Sequence, residues 1–280
     1  MRVRETTAHA AFRLWPFDFG HVSLMNTLNP PPVPADTVTR RLRGFPLQIR
    51  FDPNSYIGRY LYFRGMYEEP VIKKLASLLE PGMVYVDVGA NIGLHSLIAA
   101  WRVGPTGRVV AIEPQASVFE ALRANVALNK LTNVHEVRSA VGNKEGSAVI
   151  YTVDPINSGQ ATLAVHSGES LFGQEQVPVS ALDDILSRVG LDRVDVLKVD
   201  VEGGELEVLE GSRRLFATRP PRFVMIECID SHLQRFGHSS SDLVNWLTAF
   251  GYSVYGQSGS QWTKVVAAAG LNVDLLAARP

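Results

Sequence analysis

Between residues 84 and 227 the apolar and polar positions alternate between two rhythms. Val84-Tyr85-Val86-Asp87-Val88 and Arg108-Val109-Val110-Ala111-Ile112 are short runs with little polar interruption, the pattern of strands covered on both faces. Each is followed by helical spacing, over 91–101 and then over 116–128, where Phe119, Leu122 and Val126 share one face. The alternation predicts further strands at 134–141, 195–199 and 223–227, and helices at 181–189, 204–216 and 240–250. Two strand-like runs, 148–153 and 176–179, bracket a polar loop at 157–173, and the chain closes with strands near 252–255 and 273–276. Upstream, 45–51 reads as a strand, and 69–79 as a helix stopped by Glu80-Pro81-Gly82.

Strands and helices in this order require an α/β fold, with a mostly parallel sheet covered by helices on both faces. Ligands of such sheets bind at the carboxyl ends of the strands, where the strand order reverses. The first 35 residues differ. Phe12, Trp15, Phe17 and Phe19 are scattered ahead of Asn29-Pro30-Pro31-Pro32, which can be neither helix nor central strand. This region reads as an arm and a stiff linker, giving an arm and cap over 1–66 and a main domain over 67–280.

Composition narrows the classes. Lys and Arg number 27 against 28 Asp and Glu, a net charge of −1, so no basic excess favours a nucleic-acid partner. One cysteine, Cys228, allows no intrachain disulfide and no cysteine-rich zinc site. No His-Glu-x-x-His or calcium-loop pattern occurs, so no metal is expected from the motifs. Arg13, Asp18 and His21 interrupt any secretory apolar core, and Gly270, Asn272 and Asp274 break the last apolar run. The expectation is a cytoplasmic protein without stable membrane insertion, its homo-oligomerisation left open.

The candidate chemistry sits at the first strand's end, in Asp87-Val88-Gly89-Ala90-Asn91-Ile92-Gly93. A dinucleotide fingerprint would place glycines at 89, 91 and 94, where this chain has Gly89, Asn91 and Leu94. An acid at 87 repels a pyrophosphate but accepts hydrogen bonds from an ammonium group. S-adenosylmethionine carries that ammonium and no phosphate. Glu113, closing the second strand, stands where a carboxylate can take both hydroxyls of a ribose.

The blocks DVGANIG, AIEP, LRANVALN, SAVGNKEG, LKVDVEGGELEVLEG and MIEC, in this order and spacing, resemble the FkbM family of S-adenosylmethionine-dependent methyltransferases over residues 67–255. The resemblance implies a Rossmann-like class I methyltransferase fold with a seven-stranded sheet. It also implies O-methylation of a small-molecule hydroxyl, on a sugar, glycolipid, polyketide or other secondary metabolite. On these positions Asp87, Gly89, Asn91 and Gly93 form the methionine-side turn, Glu113 the ribose clamp, and Ser139 with Ala140 the adenine edge. Asp200 and Glu202, expected to point the same way at the end of the fourth core strand beside Lys198, are candidate proton acceptors. Glu227 and His232, the latter in the loop after the next strand, would face the same mouth, and histidine titrates nearer neutrality. Glu205 is assigned to a helix N-terminus. The acceptor pocket is expected from the arm, residues 52–67 and the loop at 157–173. Arg40, Arg41 and Arg43 form a small basic cluster, and Tyr56, Tyr60, Tyr62, Phe63 and Tyr67 are read mainly as packing. An NAD-dependent oxidoreductase, a non-catalytic relative and an N-methylating relative are the competing readings.

Overall fold

The computed structural model describes residues 33–152, 161–162 and 171–279, the pair 161–162 in backbone only. The arm aromatics and most of the 157–173 loop lie outside the described residues. The chain divides into two compact units, one up to Glu69 and one from Pro70.

Within the first unit, β1 (Val38–Arg41) pairs antiparallel with β2 (Gln48–Phe51), and α1 (Tyr56–Arg64) follows, capped by Ser55. The 45–51 strand is thus one arm of a hairpin, and α1 is a helix that aromatic crowding hid from the sequence pattern. Tyr56, Tyr60 and Tyr67 pack on one another with ring centroids 5.3–6.0 Å apart. Arg40 lies over the Tyr62 ring and Arg43 pairs with Glu69, so part of the basic cluster is used inside this unit.

The second unit is built on one large sheet. Its strands are β3 (Val84–Val88), β4 (Arg108–Ile112), β5 (Val134–Val137), β10 (Val196–Val199), β11 (Phe223–Ile229), β12 (Ser253–Ser258), β13 (Gln261–Lys264) and β14 (Asn272–Ala278). The order is β13-β12-β14-β11-β10-β3-β4-β5; β5, β4, β3, β10 and β11 run parallel, and β14 is antiparallel to β11. From β3 the sheet grows one way to β4 and β5, then the chain crosses back to lay β10 on the other side. The carboxyl ends of β3 and β10 therefore flank the topological switch point. This is the expected Rossmann-like class I architecture, with β13 added at one edge as an eighth strand.

Helices between the strands are α2 (Glu69–Leu78), α3 (Leu94–Val103), α4 (Ala116–Leu128), α5 (Leu182–Arg188), α6 (Glu205–Glu210), α7 (Arg213–Thr218), α8 (Asp230–Arg235) and α9 (Ser240–Ala249). Every residue of β3 and β10 is buried, apart from solvent on both faces, and Leu197, Val199, Val208, Val224, Cys228 and Leu247 meet in the largest core cluster. No helix among the described residues is long and apolar enough to cross a membrane.

Two departures from the sequence pattern have clear causes. The expected helix at 204–216 breaks at Gly211, where a Cβ would stand 2.0 Å from the Gly142 carbonyl oxygen; a glycine lets the two backbones touch, and the helix restarts after Ser212. The expected strand at 134–141 divides because β6 (Ala140–Val141) leaves the main sheet for a small one, ordered β6-β9-β7-β8, with β7 (Gly146–Thr152), β8 (Ala161–Thr162) and β9 (Gly173–Ser180).

Candidate active site

The turn after β3 is fastened to the end of β4. The Gly89 and Ala90 N–H groups donate to the Ile112 carbonyl at 3.0 and 2.9 Å. Asn91 N–H donates to Glu113 Oε2 at 3.0 Å, Ile92 N–H to Asn91 Oδ1 at 2.7 Å, and Gly93 N–H to the Ala90 carbonyl at 2.9 Å. Each backbone donor from 89 to 93 is thus already committed. Gly89 has φ +81°, and a Cβ there would stand 1.8 Å from the Asp200 carbonyl oxygen, so the glycine brings the turn against the end of β10. Asn91 holds a left-handed φ of +50°, which an Asn tolerates better than most residues. From α4, Asn125 Nδ2 donates to the Ile92 carbonyl at 2.9 Å and supports the turn from behind.

Glu113 is buried, its second oxygen accepting the Gln115 N–H at 3.0 Å. Burial pushes its carboxyl up to about 7 against the opposing pull of those two N–H groups. Asp87 is fully buried. Ser96 donates to its Oδ2 at 2.6 Å, and Lys198 Nζ stands 3.8 Å from Oδ1, which has no hydrogen-bond partner. Burial raises its carboxyl despite the lysine. His95, on α3, is buried too, and burial with the nearby Lys198 charge lowers its pKa well below the usual value, so it stays neutral.

Ser139 and Ala140 are buried at the split between the sheets, and the Ser139 hydroxyl donates to the Ala140 and Pro178 carbonyls at 2.7 and 3.2 Å. The serine side chain is engaged by backbone.

Asp200 and Glu202 part company. β10 ends at Val199, and by Glu202 the chain has entered a left-handed turn with φ +59°, so strand alternation does not govern the pair. Asp200 accepts from Lys198 Nζ at 2.8 Å, whereas Glu202 Oε2 lies 3.2 Å from His232 Nδ1. His232 belongs to α8 and not to a loop. The turn meets that helix because Gly203, at φ +113°, leaves room: a Cβ would stand 2.4 Å from the His232 carbonyl oxygen. Glu205, buried at the start of α6 as expected, ties the turn by accepting the Val201 and Gly203 N–H groups at 3.2 and 3.0 Å, and burial lifts it to about 7.

Glu227 Oε2 completes the group, 3.9 Å from His232 Nδ1. Burial first, then the charges of Asp200, Glu202, Glu205 and Asp274, raise its carboxyl well above the ordinary range. Asp274 is the residue sequence reading missed. It reaches the site by antiparallel pairing of β14 with β11, directly opposite Glu227, and burial raises it to about 6. Only the sheet register could have revealed it.

Residues 87–254 match the methyltransferase FkbM domain. Over 154 residues the chain is 34% identical to "Methyltransferase sdnD" of Sordaria araneosa, a match covering 45% of this chain and 59% of that protein. It is 30% identical over 193 residues to the "Hexuronic acid methyltransferase AglP" of Haloferax volcanii, covering 66% and 71% respectively. It is also 30% identical over 184 residues to the "31-O-demethyl-FK506 methyltransferase FkbM" of Streptomyces tacrolimicus, covering 56% and 70%. The chain thus spans under two thirds of the length of the first of these relatives. With a glycine turn, a carboxylate at the end of each of two adjacent strands and a domain match across three fifths of its length, the chain belongs to the FkbM methyltransferase family.

Proposed function

We propose that this protein transfers the methyl group of S-adenosylmethionine to a hydroxyl oxygen of a small molecule or glycosyl group. The observation that carries the reading is the turn after β3. Its N–H groups from 89 to 93 all have internal partners, leaving no cradle there for a pyrophosphate, while the carboxylates of Asp87 and Glu113 bound it. A cationic, phosphate-free cofactor suits that turn and NAD does not. The relatives named for methyl transfer to a hexuronic acid and to 31-O-demethyl-FK506 support an oxygen acceptor.

In the transfer, the acceptor oxygen attacks the methyl carbon in line. The carbon–sulfur bond breaks with its electron pair on sulfur, leaving a neutral thioether, and the acceptor sheds its proton. The protein's part is to hold the oxygen close and aligned. Asp200 is engaged by Lys198, so Glu202, Glu227 and His232 are the polar groups gathered for the acceptor side.

Isothermal titration with S-adenosylmethionine, S-adenosylhomocysteine and NAD tests this. Saturable binding of the first two without the third is expected. Glu113→Ala should weaken that binding at least about tenfold, as loss of hydrogen bonds to a charged group does, while Glu202→Ala should retain it and lose turnover. NAD binding, or no binding of either sulfur ligand, would overturn the reading.

A further inference from the structure

Glu202, Glu227 and His232 come from three separate segments: the turn after β10, the end of β11 and helix α8. One donor atom from each lies within 4.8 Å of the other two. His232 Nδ1 is shielded from solvent and makes no hydrogen bond to either carboxylate, although their oxygens are only 3.2 and 3.9 Å away. A histidine placed to pair with a carboxylate would align an N–H with it. An imidazole nitrogen set between two carboxylates without a hydrogen bond to either is instead the arrangement of ligands that share a cation. With metal–donor bonds of about 2.0–2.2 Å, neighbouring donors stand about 3 Å apart and opposite ones about 4 Å.

The surroundings are acidic as well. Asp200, Glu205 and Asp274 are the carboxylates that face Glu227 besides Glu202, and the nearby Lys198 is shared between Asp200 and Asp87. The three side chains keep 14–23% of their surface exposed, so the group lies at the margin of the solvent.

We propose that Glu202, Glu227 and His232 form a binding site for a divalent cation of the Mg²⁺/Mn²⁺ class. Two carboxylate oxygens favour hard cations, and the single imidazole favours Mn²⁺ over Mg²⁺ and disfavours Ca²⁺. Three protein donors leave coordination positions open. On the methyltransferase reading, on which this role rests, the acceptor hydroxyl takes one of them. Its O–H bond then breaks more readily, with the electron pair remaining on oxygen and the proton leaving to water.

Mn²⁺ titration of the full chain, followed by the electron paramagnetic resonance of free Mn²⁺, tests the site without any turnover. One Mn²⁺ per chain is expected, with affinity at least about tenfold weaker in Glu227→Gln and in His232→Gln. S-adenosylmethionine titration of the same samples reports whether each variant is folded. No saturable Mn²⁺ binding to the unaltered chain, Zn²⁺ binding in its place, or folded variants that bind Mn²⁺ undiminished would overturn the proposal. Loss of S-adenosylmethionine binding with Mn²⁺ binding intact would instead remove the methyltransferase reading and leave the cation site standing.

Discussion

The two sides of the switch point are built on opposite principles. At the ends of β3 and β4, backbone does the holding: Glu113 is gripped by two N–H groups, and the turn's donors are satisfied within it. At the ends of β10 and β11, side chains from separate segments converge, and their carboxylates face one another. The first half is finished before any ligand arrives. The second half carries repulsion that a ligand would relieve, and a site that stores such repulsion is one whose occupancy the rest of the fold will register.

The sharpest way to break this contrast is to attack the backbone half. Gly89→Ala forces a Cβ into the Asp200 carbonyl at a left-handed position, and the expected loss is about 3 kcal/mol or more, or roughly 6–12 °C in Tm for a chain of this size. A near-native melting temperature would mean that the turn is not fastened to β10 as described.

A smaller effect should appear with pH in the absence of ligands. Glu113 and Glu205, both near 7 when folded against 4.5 ordinarily, take up protons on folding, so their contribution declines as pH rises through 7. Glu227 adds to the same trend. Buried, neutral His95 works the other way, but only below its ordinary value of 6.5. Asp230 and Asp242, with lowered carboxyls, lose stability only in acid. Between pH 6.5 and 8 the protein should therefore lose about 1 kcal/mol for each of Glu113 and Glu205, read as a falling Tm. A Tm that rises over this interval would contradict the burial of these acids.

The smallest effect isolates the turn's local chemistry. Asn91→Ala keeps the left-handed backbone but removes the Oδ1 acceptor for Ile92, and should cost about 1 kcal/mol. Mn²⁺ binding at the far side should be unchanged; a parallel loss there would show that the halves are one unit.

This division also explains what could be read from the sequence. The strands around the switch point are uninterrupted apolar runs, and Asp87, the glycines and Glu113 sit at their ends, so a local pattern names both the elements and the residues. The other half is assembled by tertiary contacts. Glu202 leaves its strand in a left-handed turn, His232 lies on a six-residue helix too short for periodicity, and Asp274 depends on an antiparallel register far along the chain. Helix α1 and strand β13 were hidden for a related reason, since aromatic crowding masks helical spacing in one, and four polar-rich edge residues carry little strand signal in the other.

The chain's one thiol adds a consequence of another kind. Cys228 follows Glu227 on β11, shows no exposed surface, and burial pushes its thiol up to about 12. Since thiolate is the reacting form, alkylation in the native state must wait for the sheet to part. The rate of labelling at neutral pH therefore counts openings of β11, one residue from the proposed cation site. A ligand that quiets those openings would be seen as slower chemistry at sulfur, with no substrate in hand and no probe attached.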